Sequence, residues 1–345
     1  MNTITQQLLT WHDQHGRHDL PWQNTTDAYR IWVSEIMLQQ TQVATVIQYY
    51  QRFMASFPTI DKLAQADIDT VLHLWTGLGY YARARNLHKT ATIIHKQYDD
   101  VFPQNFEQVL SLPGIGRSTA GAILAFSQNQ HHAILDGNVK RVLSRFYAIE
   151  GWYGKKPVEN QLWELAELNT PKKNIAKYTQ AIMDFGATQC RRSKPQCDYC
   201  PFKKNCLAYQ QNRVKELPHG KPKSTKPIKQ TTFLLIQNEK QEILLTRRPA
   251  TGIWGGLWCP LEIKETPSKK SLIIENFDIT INKILPTFRH TFSHYHLDIT
   301  PALCFLERET DMIAESSERV WYNLDSPKKL GLAAPVKMLL DQLSN

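Results

Sequence analysis

The chain has no apolar run approaching the roughly 20 residues a membrane span requires. Its N-terminus, MNTITQQLLTWHDQHG, has no basic stretch leading into an apolar one. The cytoplasm is therefore the expected compartment. Cysteine is scarce, six in 345 residues, yet four of the six fall within seventeen positions. Where thiols are kept reduced, such a cluster holds metal more readily than it forms disulfides. Internal repeats are absent, and strand-like alternation is rare before residue 210. What is present is ordinary globular material: 42% hydrophobic and 21% charged residues, enough apolar side chain to exclude global disorder.

At 345 residues the chain exceeds the usual compact domain, and about 150 residues per domain predicts two. Charge divides unevenly between them. Residues 1–228 carry 27 Lys+Arg against 18 Asp+Glu, whereas residues 229–345 carry 14 of each. A basic surface attracts nucleic acid by releasing counterions, although charge alone does not separate that from an ordinary basic protein. Through about residue 210 apolar residues recur at three- and four-residue spacing, as in Ile31, Leu38, Val43, Val46 and Ile47, which predicts helices. The segment 211–230, QNRVKELPHGKPKSTKPIKQ, has the polar, Pro- and Gly-containing composition of a linker. Beyond it TTFLLIQ, EILLTRR and HLDITPALCFLER read as strands, Asn276–Ile281 as another, and Pro335–Leu343 as a closing helix. The expected architecture is an all-α domain over 1–228 followed by an α+β domain over 229–345.

Four motifs carry chemistry. CRRSKPQCDYCPFKKNC (190–206) spaces Cys190, Cys197, Cys200 and Cys206 as C-x6-C-x2-C-x5-C, able to wrap thiolates around one centre. Zinc and an iron–sulfur cluster both fit. Zinc more often takes two separated C-x2-C knuckles, and only Cys197 and Cys200 make one. Arg191, Arg192, Lys194, Lys203 and Lys204 interleave the thiols and direct the loop toward phosphate. Cys259 and Cys304 stand alone and read as small core residues. The second motif, SLPGIGRSTAGAILAF (111–126), runs a Pro-Gly-x-Gly turn into an amphipathic helix. Gly114 and Gly116 let a phosphate approach backbone N–H groups at the helix start, which predicts a helix-hairpin-helix over about 107–127.

The other two motifs are acidic. Glu35, in RIWVSEIMLQQT, shares a helix face with Ile31 and Leu38. An acid on an apolar face has its pKa raised toward neutrality, the condition for a general acid, unless the residue instead lies on a solvated face. Gln39, Gln40 and Thr41 beside it offer groups that read a base edge or fill its vacated stack. Asp136, in ILDGNVKRVLSRF, stands where a helix cap is expected, and an aspartate at a helix start stays ionised easily. Glu35 and Asp136 together suit an unequal pair, one donating a proton and the other stabilising a cation.

Taken in order, SEIMLQQT, WTGLGYYARARN, LPGIGRSTAGAIL, LDGNVKR and the cysteine loop resemble the helix-hairpin-helix DNA glycosylases, and among them the MutY-type adenine DNA glycosylases. GIWGGLWCP, FRHTFSHYHLD and GLAAPVKMLL extend the resemblance to a C-terminal, Nudix-like domain. The resemblance implies one [4Fe–4S] cluster on Cys190, Cys197, Cys200 and Cys206. It also implies Glu35 as the acid that protonates adenine at N7 and Asp136 as the stabiliser of the oxocarbenium sugar. By the same resemblance Gln40, Thr41, Leu78 and Tyr80 form a reading head, Lys140 follows Asp136 by one helical turn, and Phe292, Ser293 and His294 contact 8-oxoguanine. Ser118 stands where strand-cutting relatives resembling endonuclease III have a Schiff-base lysine, so a monofunctional enzyme is expected. The C-terminal domain lacks an R-E-x-x-E-E helix for magnesium and is expected to read rather than hydrolyse. The implied partner is double-stranded DNA carrying A opposite 8-oxoguanine or G, bound by a monomer. A thymine or uracil mismatch glycosylase would share the cysteines, hairpin and aspartate, and a non-catalytic DNA-binding protein would need no buried Glu35.

Overall fold

The computed structural model describes residues 3–222, 225–267, 269–309 and 318–344. Lys223 and Ser224, in the segment read as a linker, lie outside them. Two compact units form: residues 1–65 with 86–223, and residues 66–85 with 224–345.

The first unit is helical. In chain order come α1 (Thr3–His15), α2 (Ala28–Leu38), α3 (Val43–Ser56) and α4 (Ile60–Ala64). Then α5 (Ile68–Trp75) belongs to the second unit, and α6 (Ala82–Gln97) crosses the division. The first unit resumes with α7 (Phe106–Ser111), α8 (Arg117–Gln128), α9 (Gly137–Phe146), α10 (Lys156–Asn169), α11 (Ile175–Asp184) and α12 (Leu207–Gln210). Local chemistry sets many of these ends. Asp27 caps α2 by accepting the Tyr29 N–H, Asn105 caps α7 through the Glu107 and Gln108 N–H groups, and Asn129 closes α8 in the left-handed conformation. One core gathers Leu8, Val139, Leu143, Leu162, Ile182, Phe185 and Phe202 from five segments. Such side chains contribute about 1.5–3 kcal/mol each on full burial. A π turn over Phe185–Gln189 carries α11 into the cysteine loop.

The segment read as a linker is partly docked. Leu217 is 1% exposed, its carbonyl accepts a hydrogen bond from buried Arg145 (2.8 Å), and Arg213 pairs with Glu150 and Glu216. Linker composition thus conceals one apolar residue that finds a socket.

In the second unit, nine strands form one sheet: β1 (Ile228–Gln237), β2 (Ile243–Arg247), β3 (Trp258–Cys259), β4 (Leu261–Ile263), β5 (Ser271–Ile274), β6 (Phe277–Ile284), β7 (Phe288–Thr291), β8 (His296–Glu309) and β9 (Arg319–Tyr322). β1 pairs in parallel with β8 over ten positions, from Ile228↔His296 to Gln237↔Phe305, and β6 pairs with β8 antiparallel. The central place of β1 explains its unbroken buried run, Phe233–Ile236. The four strands read from the sequence fall on β1, β2, β6 and β8, and the closing helix on α13 (Ala334–Leu343). The other five strands have two to four residues each, too short for an alternating pattern to show. The architecture is a helical domain followed by an α+β one.

Candidate active site

Glu35 lies on α2 between buried Ser34 and Ile36, with Ile31 2% exposed one turn back. Its side chain lines two adjoining cavities of about 380 and 410 Å3, volumes within the usual range for small-molecule sites. Arg17, Trp22 and Gln180 border both cavities with it. Among the described residues none donates a hydrogen bond to the Glu35 carboxyl. Burial, reinforced by the charge of Asp136, pushes its pKa up to about 8.

Asp136 lines the larger cavity and caps α9. Oδ1 accepts the Val139 N–H (2.8 Å) and Asn138 N–H (3.1 Å), and Oδ2 accepts Asn138 Nδ2–H (3.0 Å). Its surroundings add an effect opposed to the ionisation expected of a helix-start aspartate. Burial raises the Asp136 pKa, and the three hydrogen bonds, which favour the anion, offset that only in part. Asp136 is half-buried on the wall of the cavity, with Gly137 beside it exposed. The two carboxyls still differ in kind, one without donors and one with three.

The hairpin joins α7 to α8. Gly114 has φ +80, and a Cβ there would lie 2.8 Å from Asn86 Cβ, so both conformation and space demand glycine. Gly116 is the N-cap of α8, with no side chain to occupy the N–H groups of its first turn. Ser118 and Thr119 on that turn face the larger cavity. The Ser118 hydroxyl accepts the Leu135 N–H (2.9 Å), and Gln39 Nε2 donates to Thr119 Oγ1 (3.3 Å). Gln40 is exposed at φ +57 beyond α2, and with Thr41 it borders the cavity mouth. Lys140 does not join these residues. Its ammonium pairs with Glu159 (3.0 Å) and lies over the Tyr153 ring.

The four clustered cysteines and Arg145 line one small cavity. Buried Arg145 organises the loop, Nη1 donating to Cys190 Sγ (3.4 Å) and the Arg191 carbonyl (2.8 Å). Arg141 links this loop to the acid site, donating to the Cys190 carbonyl (2.8 Å) and to Asn138 Oδ1 (2.8 Å). Burial pushes the Cys200 thiol up to about 12 and raises Cys197 and Cys206. Arg191, Arg192, Lys194 and Lys204 are exposed, and Lys203 pairs with Asp198. Cys259 and Cys304 are buried in the sheet, as lone core residues should be.

In the second unit, Leu78 is buried and Tyr80 half-exposed at φ +50 on the turn after α5. Arg83 braces that turn, donating to the Leu78 and Gly79 carbonyls (3.3 and 3.0 Å) with its guanidinium over the Trp75 and Tyr80 rings. Phe292, Ser293 and His294 form the tip joining β7 to β8, closed by the Phe292 N–H to the Tyr295 carbonyl (2.9 Å). The ring of Phe292 packs on Trp254, His290 and Tyr295, while Ser293 and His294 stay exposed.

Motif reading missed Arg17, Trp22 and Gln180. Arg17 Nε donates to Asp184 Oδ1 (2.8 Å), as does Gln180 Nε2 (3.0 Å). Burial pushes the Asp184 carboxyl up, but the His12 hydrogen bond and the Arg17 charge outweigh it and hold the pKa low. A GxG turn or cysteine spacing announces itself; three isolated residues from separate segments do not.

A hairpin between two helices, beside a cavity floored by unlike carboxyls, defines a helix-hairpin-helix base-excision glycosylase. Residues 33–168 match the family described as HhH-GPD superfamily base excision DNA repair protein, and residues 232–342 match the NUDIX domain. "Adenine DNA glycosylase" of Buchnera aphidicola subsp. Acyrthosiphon pisum is 42% identical over 341 residues, covering 98% of this chain and 97% of that protein. The enzyme of the same name from Buchnera aphidicola subsp. Baizongia pistaciae is 40% identical over 339 residues, with 98% and 96% covered. A solved thermostable thymine-DNA glycosylase is similar at 28% identity and TM-score 0.54, over 60% of this chain and 95% of that one. The chain belongs to the adenine DNA glycosylase family, enzymes that hydrolyse N-glycosyl bonds, and DNA is its partner. No described helix is long and apolar enough to cross a membrane.

Proposed function

We propose that the enzyme excises adenine paired with 8-oxoguanine or guanine, with Glu35 as general acid and Asp136 as the anion facing the sugar. The observation that carries this reading is the pair of carboxyls on one cavity wall, the first without hydrogen-bond donors and raised to about 8, the second held by three. A base paired in duplex must leave the stack before its glycosidic bond is reached. Glu35, protonated at neutral pH, gives its proton to N7 of the flipped adenine. The C1′–N9 electron pair departs with the base, positive charge spreads over C1′ and O4′, and the Asp136 carboxylate stabilises it. Water adds at C1′ and loses a proton, leaving an abasic site.

Ser118 has no amine and its hydroxyl is engaged by Leu135, while Lys140 is paired with Glu159. Both facts favour hydrolysis without strand cutting. Gly114, Gly116 and the first turn of α8 suit a DNA phosphate. Gln40 and Thr41 suit the space beside the flipped base. In the second unit, the Phe292–His294 tip suits recognition of 8-oxoguanine opposite the adenine, and its NUDIX relationship fits an oxidised-purine reader.

The cysteine residues fit one [4Fe–4S] cluster. All four thiols line one small cavity together with Arg145, whose Nη1 donates to Cys190 Sγ (3.4 Å), a compact four-thiol donor set of the kind such a cluster takes. Bound on Cys190, Cys197, Cys200 and Cys206, the cluster supplies a crosslink for residues 190–206. Hydrolysis transfers no electron, so its part in this reaction is structural. Single-turnover excision from a duplex with A opposite 8-oxoguanine tests the whole reading. Activity is expected in the cluster-loaded enzyme and lost in Glu35→Gln and Asp136→Asn; an inactive, fully loaded enzyme refutes it.

A further inference from the structure

Residues 66–85 are docked on the sheet of their unit at both ends. At the start, Asp69 accepts a hydrogen bond from the Trp258 indole (3.0 Å) and pairs with Arg247. At the end, Tyr81 Oη donates to the Leu332 carbonyl (3.1 Å) and Arg85 Nη1 to the Gly255 carbonyl (2.6 Å). The turn bearing Leu78 and Tyr80 lies between these anchors.

Gly255 sits in a constrained loop. A Cβ there would come within 2.4 Å of the Ala250 carbonyl oxygen. Its neighbour Trp254 is a bulky residue at φ +54, a sparsely populated conformation that persists only where surroundings enforce it. The Trp254 indole is 8% exposed and packs on His290 (5.4 Å) and Phe292 (5.2 Å). The Gly255 residue and the Trp254 indole therefore connect the Arg85 guanidinium to Phe292. Arg85 is half-buried and commits a donor to a carbonyl, unlike a side chain free to meet phosphate.

We propose that Arg85 is a positioning residue for lesion discrimination: its bond to Gly255 holds Trp254 against Phe292 and ties the Leu78–Tyr80 turn to the Phe292–His294 tip. The proposal rests on the reading of that tip as the contact to 8-oxoguanine. Arg85 touches no reacting atom in this account. It sets how much excision is favoured opposite 8-oxoguanine over guanine, leaving the basal excision opposite guanine as it is.

Single-turnover excision by the full-length, cluster-loaded enzyme on A opposite 8-oxoguanine and A opposite guanine tests this, with binding measured across a salt series. Arg85→Gln is expected to lower the preference for 8-oxoguanine about tenfold, the loss of one charge-assisted hydrogen bond. Excision opposite guanine should stay within about twofold and the salt slope should not change. Arg85→Lys should restore most of the preference. If Arg85→Gln melts early, Trp254→Leu against Trp254→Phe carries the same comparison, with only the leucine losing the preference. Equal loss on both duplexes, or a salt slope reduced by about one as for a phosphate contact, overturns the proposal. The Ser293→Ala, His294→Ala double variant separates it from the underlying reading. If that variant discriminates like wild type, the tip is no reader and both fall; if it loses discrimination while Arg85→Gln keeps it, only the role of Arg85 falls.

Discussion

Glu35 is the group whose perturbation is most informative. With its pKa raised to about 8 by burial and by Asp136, about nine-tenths of it is protonated at pH 7, against roughly 0.3% for a glutamate at its ordinary value. Its cavity therefore supplies about 300 times more acid at neutral pH. The kcat/KM profile reports groups of the free enzyme. It should fall tenfold per unit above about pH 8, and fall again on the acid side where Asp136 takes up a proton. Glu35→Gln should lose about 10²–10⁴ in rate, the usual share of a general acid, and lose the alkaline limb with it. Asp136→Asn should move the limb of any remaining activity to lower pH, because the like charge that raises Glu35 is gone. An alkaline limb already falling near pH 5 in wild type, or one that persists unmoved in Glu35→Gln, would refute the assignment.

Stability should show the same group with a definite sign. The folded pKa of Glu35 lies above its unfolded value, so the folded state binds the proton more tightly, and stability falls as pH rises from about 4.5 to about 8. Glu35→Gln should then melt above wild type at pH 9, by about 2–4 °C for each kcal/mol relieved, with no difference below pH 4; calorimetry showing no pH-dependent gap would count against burial as the cause. Asp136→Asn keeps an oxygen acceptor for the Asn138 and Val139 N–H groups and should retain wild-type stability while excision falls about 10²–10³-fold. Asp136→Ala should lose the cap as well, about 1 kcal/mol by denaturant melt, and equal stability of the two variants would deny the capping role. Cys200→Ser should reduce bound iron and sulfide and lower the melting temperature; full loading with unchanged melting would show that Cys200 is not a ligand.

Motifs fixed by short-range geometry were legible early. Gly114 had to be glycine for its φ and for the approach of Asn86, and Asp136 had to be a capping side chain, so local sequence revealed both. Glu35 could be phased against Ile31 and Leu38 from helical spacing alone. Helical spacing sets Lys140 one turn from Asp136, but its ion-pair partner, Glu159 from another helix, could not be read from spacing. The short strands β3, β4, β5, β7 and β9 left no pattern because two to four residues cannot establish a period.

The sequence by itself determined the chemistry that depends on residue type and local spacing: two carboxyls, a glycine turn opening a helix, four thiols, and a serine in place of an amine. Tertiary structure alone decided the environments. It set Asp136 half-buried in a cavity wall, where desolvation raises its pKa. It brought Arg17, Trp22 and Gln180 to the Glu35 cavity, and it assigned residues 66–85 to the unit formed mainly by 224–345. The physical reason is that desolvation and hydrogen-bond partners depend on which distant segments meet, and no spacing rule records that.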